Sequence, residues 1–143
     1  MDILLGPDVL VNASVALGSP PEQVVRRVLG KTGGKPRTTE WVLGRVASML
    51  EAVPSFRKDS IHAQMDLVRA LVEIAALPAA APTASYAEGL VASAKAAGYG
   101  RVVTDHPDLA DQTELDGIQF VSSEAWLVEA TTPPPPPTRS KGA

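Results

Sequence analysis

The sequence predicts an α/β fold: a central, mostly parallel sheet flanked by helices on both faces, with a helical-pair insertion. Three observations predict it. Short apolar runs at Ile3-Leu4-Leu5, Val102-Val103 and Phe120-Val121 are bounded by turn or polar residues, which is how strands buried on both faces read. Longer stretches between them repeat apolar residues at helical spacing. Two Ser-x-x-Glu capping boxes, Ser19-Pro20-Pro21-Glu22 and Ser85-Tyr86-Ala87-Glu88, mark helix starts. Strands separated by helices imply parallel pairing through crossovers.

Taken in order, Ile3-Leu4-Leu5 is the first strand, and Gly6-Pro7 stops it. Asp8 stands before Val9-Leu10-Val11 and is expected to N-cap the first helix. The helix after Ser19 carries Val24, Val25, Val28 and Leu29 inward and Arg26 and Arg27 outward, and a turn over 30–36 ends it. Gly30-Lys31-Thr32 resembles the end of a phosphate loop, but the glycine needed five residues earlier is Val25, inside a helix, so a basic solvated turn is the better reading. Thr38 or Thr39 opens a helix with Val42, Val46, Met49, Leu50 and Val53 on one face, and Pro54 ends it. Asp59 or Ser60 opens its partner, with Ile61, Met65, Val68, Val72 and Ala75 inward and Pro78 as its stop. Trp41 and Met65 read as packing residues.

The helix after Ser85 buries Leu90, Val91, Ala94 and Ala97, with Gly98 as C-cap. A second strand covers 101–104 and exits through Asp105-His106-Pro107-Asp108-Leu109. A third covers 117–121, and Ser122 or Ser123 caps a last helix containing Ala125, Trp126 and Leu127. Five consecutive prolines at 133–137 and a small polar, basic end form no core, so 1–130 is expected to be the domain and 131–143 a Pro-rich disordered tail.

Composition narrows the function. The chain of 143 residues has room for one core. It has no cysteine, which excludes disulfides and thiolate metal sites. A formal charge of −3 gives no global case for nucleic-acid binding. No apolar stretch approaches the roughly 18 residues of a membrane helix, and no signal-peptide pattern opens the chain, so a cytoplasmic protein is expected.

Acids collect at the strand exits: Asp8 after the first, Asp105 and Asp108 after the second, with Glu88 opening the helix that feeds the second strand. Ligands bind outside the carboxyl ends of parallel strands. Carboxylates clustered there, without cysteine, suit a hard cation such as Mg²⁺ or Mn²⁺, which activates water for attack on phosphodiesters. The same four residues are also good caps and turn formers, and on composition alone that reading is favoured.

The chain resembles the PIN-domain family, which includes many bacterial toxin ribonucleases. The likeness is carried by Leu4-Leu5-Gly6-Pro7-Asp8-Val9-Leu10-Val11-Asn12-Ala13 with Gly18-Ser19-Pro20-Pro21 following. It continues in the Ala-rich helix, Val102-Val103-Thr104, His106 and Asp108-Leu109, and in the final strand and helix up to about Val128. The resemblance implies a PIN-like fold and a divalent-metal site of three or four acids. The first acid position falls on Gly6, with Asp8 two residues on; the second falls near Arg45, with Glu40 and Glu51 about a turn away. Glu88 meets the third within about a residue, and the fourth falls on His106 beside Asp105. Glycine supplies no ligand, and arginine opposes a cation.

Two readings follow from the resemblance. In one, the domain has a rearranged, impaired metal-nuclease site and binds RNA or a protein, with Arg26, Arg27, Lys31, Lys35, Arg37 and Arg45 as phosphate contacts. In the other, a shifted cluster of Asp8, Glu88, Asp105 and Asp108 serves an active Mg²⁺- or Mn²⁺-dependent endoribonuclease of toxin–antitoxin type, with Asp8, Glu88 and Asp108 as metal ligands and His106 as ligand or base. Arg45 would pair with Asp8 or Asp108, or contact phosphate. Expected partners are RNA, an antitoxin-like or other protein, a second copy in a homodimer, and a protein held by the proline tail, with no membrane.

Overall fold

A computed structural model of the chain describes residues 3–30, 35–54, 57–76, 85–109 and 113–131. The order of elements is β1 (Ile3–Leu5), α1 (Pro7–Val15), α2 (Pro20–Leu29), β2 (Arg37–Thr38), α3 (Glu40–Glu51), α4 (Lys58–Leu71), β3 (Glu73–Ile74), α5 (Tyr86–Ala97), β4 (Arg101–Val103), β5 (Glu114–Leu115), β6 (Ile118–Val121) and α6 (Ser123–Thr131). Lys31, Thr32, the linker over 79–83 and the proline run lie outside the described residues.

Four strands form one sheet in the order β1-β4-β6-β5. The first three are parallel, with Leu4 opposite Val102 and Val102 opposite Phe120. All three residues of β1 are buried, as are Val102 and Val103 of β4 and Phe120 and Val121 of β6. Successive strand residues point to opposite faces, so burial of consecutive residues means that both faces are covered. Helix α5 packs across β1, β4 and β6, while α1 contacts α2 and α3, and α2 contacts α6. Each fully buried Val, Leu or Phe contributes about 1.5–3 kcal/mol, so these central strands carry much of the stability.

The helix starts follow the caps. Ser19 Oγ accepts from the Glu22 N–H, Thr39 Oγ1 from Val42 N–H, and Ser85 Oγ from Glu88 N–H. Gly98 closes α5 at φ +81°, the left-handed conformation glycine adopts without strain. Val25 lies within α2, as the rejection of a phosphate loop requires.

Four features refine the sequence reading. The helical pair, α3 and α4, forms the crossover between β2 and β3, which pair in parallel as a two-stranded sheet separate from the main one. Helix α4 ends at Leu71 and does not reach Pro78. Val72 is extended, and the Glu73 and Ala75 N–H groups donate to the Pro36 and Thr38 carbonyls at 2.9 and 2.7 Å. β-Branched Val72 and Ile74 suit that conformation, and helical spacing had masked it. Of the residues expected inward on α4, Met65 and Val68 are buried and Ile61 is half-buried. Its N-cap is Arg57, without a side-chain cap.

Third, Gly117 is not in a strand. Asp116 and Gly117 have φ of +50° and +84° and turn β5 back antiparallel onto β6, as an Asp-Gly hairpin turn does. Fourth, Asp8 does not cap α1. Gly6 is the N-cap residue, Pro7 takes a first-turn position, and no side chain caps that helix. The Asp8 carboxylate is engaged elsewhere.

Candidate functional site

β1, β4 and β6 end side by side, and their chain exits share hydrogen bonds. The Gly6 N–H donates to the Val103 carbonyl at 2.8 Å, and the Thr104 N–H to the Val121 carbonyl at 2.9 Å. Helix α5 precedes β4 and its first residues lie at this same carboxyl edge, which brings Tyr86 to Asp8.

Asp8 is the hub. Its Oδ1 accepts from the Tyr86 hydroxyl at 3.0 Å and from the Thr104 hydroxyl at 2.9 Å, and its Oδ2 accepts from the Asp105 N–H at 2.7 Å. Three donors from α5 and from the exit of β4 therefore meet one carboxylate on α1. Gly6 makes the room. A Cβ at position 6 would lie 2.8 Å from Asp8 Oδ1 and 2.9 Å from the Val103 carbonyl oxygen. The second of these is backbone and has little freedom to yield. An acid at position 6 and Asp8 in this orientation are sterically incompatible.

Asp105 faces the other way. Its two carboxylate oxygens accept from the N–H and the hydroxyl of Ser123, both at 2.7 Å, at the start of α6. Ser122 Oγ accepts from the Ala125 N–H at 3.1 Å. Glu88 is exposed, and its Oε1 accepts from the hydroxyl of Ser85, the residue that caps its helix, at 2.9 Å. Asp108 is exposed. Its N–H donates to His106 Nδ1 at 3.2 Å, and its carboxylate lies 4.0 Å from that nitrogen.

The basic and aromatic residues form a row. The Arg45 guanidinium carbon sits 5.1 Å from the Trp41 ring centroid and 6.0 Å from that of Tyr86. The Tyr86 and His106 rings stack at 5.2 Å with 27° between their planes. Gly89 lets Trp41 lie against α5, since a Cβ there would overlap the indole. Burial, followed by the charge of Asp8 and its hydrogen bond, pushes the Tyr86 hydroxyl well above the usual phenol range. Tyr86 therefore stays a neutral donor to Asp8.

The predicted site residues thus divide. Asp8 and Asp105 are brought together at the strand ends, through the Asp105 backbone, while Glu88 and Asp108 are engaged by neighbours in their own segments. Arg45 pairs with neither Asp8 nor Asp108, and no ion pair involves it among the described residues. Glu40 is held by Arg69 through two hydrogen bonds of 2.7 and 2.8 Å, which depress its carboxyl below the usual range. Arg26 pairs with Glu22, and Arg37 lies over the Tyr99 ring.

The resemblance implies Mg²⁺ or Mn²⁺, which needs several carboxylate oxygens turned to one point. Each oxygen of Asp8 and of Asp105 already accepts from at least one protein donor. Among the described residues, no three His, Asp or Glu side chains are grouped to hold a metal ion. In this arrangement the acids do not fit a divalent cation. Sequence reasoning missed Tyr86, Thr104 and Ser123. Their signal was positional: Tyr86 opens a helix that leads into a parallel strand, Thr104 immediately follows β4, and Ser123 opens the helix just after β6.

The chain matches no known family model and no curated protein. Its fold is mixed α/β with a four-stranded, mostly parallel sheet and, among the described residues, six helices. None of those helices is long and apolar enough to cross a membrane.

Proposed function

We propose that the chain is a PIN-like domain with a rearranged metal-nuclease site that acts as an RNA-binding module. The observation that carries this reading is Asp8 folded over Gly6 and engaged by three donors. A carboxylate so engaged is a poor metal ligand, because binding the ion would break charge-assisted hydrogen bonds. The order of elements and the acids at the strand exits support the PIN-like part. Arg45, whose guanidinium lies near the Trp41 and Tyr86 rings and makes no ion pair among the described residues, supports RNA, because a phosphate is a natural partner for such a guanidinium.

The test is a pair of assays on one RNA set, binding without metal and cleavage with Mn²⁺ or Mg²⁺. Binding without cleavage is expected. Metal-dependent cleavage abolished by both Asp8→Asn and Asp108→Asn would replace this reading with a toxin-type endoribonuclease.

A groove between α1, α2 and α4 favours a second reading, a protein partner. Leu10, Leu17, Val25, Leu29, Leu67 and Leu71 line it, and Leu17 and Leu67 are exposed. Loss of partner capture on Leu67→Lys, with RNA affinity unchanged, is the result that reading expects.

A further inference from the structure

We infer that Arg45, Trp41, Tyr86 and His106 form a stacking site for one unpaired nucleotide, its base on the His106–Tyr86 pair and its phosphate on Arg45. The inference rests on the RNA-binding reading and specifies where and how RNA is held. The His106 and Tyr86 rings already stack, and the His106 side chain remains 38% exposed at the end of that stack. Tyr86 is fixed by its bond to Asp8, and Asp8 by Thr104 and Asp105. The platform is therefore ordered before any ligand arrives, and binding loses little conformational entropy.

Arg45 lies across two ring faces, and among the described residues no ion pair involves it. A guanidinium held over ring faces by cation–π attraction keeps its N–H donors available to a phosphate. Stacking on aromatic side chains requires a base that is not already paired, so single strands are favoured over duplexes. Exposed Asp108 beside His106 opposes the phosphate charge.

The experiment is fluorescence anisotropy at fixed salt with a labelled single-stranded RNA and with the same strand in a duplex. Indole emission is followed in parallel. Trp126 is buried, so a ligand-dependent change reports Trp41. The single strand is expected to bind more tightly than the duplex and to change the emission. His106→Ala should weaken single-strand binding roughly tenfold, while His106→Phe, which keeps a ring, holds near the wild-type value. Arg45→Gln should weaken binding and reduce the salt slope by about 1. Asp108→Asn should strengthen it about twofold to threefold. Should His106→Ala fail to fold, the phenylalanine and Arg45 variants still decide.

Wild-type binding left unchanged by Arg45→Gln and His106→Ala, or equal affinity for duplex and single strand, overturns the stacking site and leaves the RNA-binding reading standing. No binding of any RNA by the wild type overturns that reading, and the stacking site with it.

Discussion

Asp8 and Asp105 lie at the inner ends of β1 and β4, and Glu88 and Asp108 lie at the rim of the same sheet edge. The inner pair is half-buried and draws donors from distant parts of the chain: Asp8 from α5 and the β4 exit, Asp105 from α6. The outer pair is exposed, and its contacts come from residues two or three positions away. Four acids of one chemical type therefore do two jobs. Hydrogen bonds to ionised carboxylates contribute most where water is least available to replace them. The inner acids pin strand ends to helices, and the outer ones shape local turns.

That contrast can be broken by measuring stability in urea. Asp8→Ala is expected to have the largest effect, about 3 kcal/mol, because it leaves two hydroxyls and a backbone N–H without their acceptor. A loss below about 1 kcal/mol would put Asp8 with the outer acids. Gly6→Ala is expected to cost about 2 kcal/mol through overpacking against Asp8 and the Val103 carbonyl. In an Asp8→Ala background that cost should shrink, and strict additivity would show that the two residues do not share the space. Asp105→Ala follows at about 1.5 kcal/mol, from lost capping at α6.

A pH measurement sharpens the same comparison. The Tyr86 hydroxyl is held above the phenol range in the fold. Its contribution is complete below the unfolded value of about 10. Above that, the unfolded chain releases a proton that the folded chain retains, so stability falls as pH rises. Urea midpoints from pH 8 to 11 should fall more steeply for the wild type than for Tyr86→Phe. Parallel slopes would mean that burial and Asp8 do not hold the Tyr86 hydroxyl above the phenol range. The smallest effects belong to the rim: Glu88→Gln and Asp108→Asn should each stay within about 0.5 kcal/mol. A rim substitution as costly as Asp8→Ala would erase the distinction.

The legible parts of the fold were those written in local pattern. Ile3-Leu4-Leu5 and Val102-Val103 read as doubly covered strands, and Ser19, Thr39 and Ser85 read as caps, because burial of a run and capping of a helix end are short-range matters. The strands β2, β3 and β5 were not legible. Two residues carry no periodicity, and Glu73–Ile74 pairs with a strand some 35 residues earlier. That the helical pair bridges two paired strands was hidden for the same reason: only the pairing of β2 with β3 shows it. In the site, the convergence of Asp8 and Asp105 followed from strand-exit logic. Arg45 was expected to pair with Asp8 or Asp108 or to contact phosphate; it pairs with neither acid and lies near Trp41 and Tyr86, a contact set by how α3 meets α5.

The sequence by itself determined the α/β class, the mostly parallel direction of its main strands, and the position of Asp8 and Asp105 just after strand ends. Those follow from hydrophobic period, caps and the rule that crossovers return a chain to the same edge. Only the tertiary structure decided what the acids do there. A carboxylate's role depends on which donors lie within about 3 Å of it, and the donors to Asp8 are supplied by Tyr86, Thr104 and Asp105, more than 70 residues away along the chain. Gly6, read in sequence as a missing ligand, is in the fold the space into which Asp8 turns.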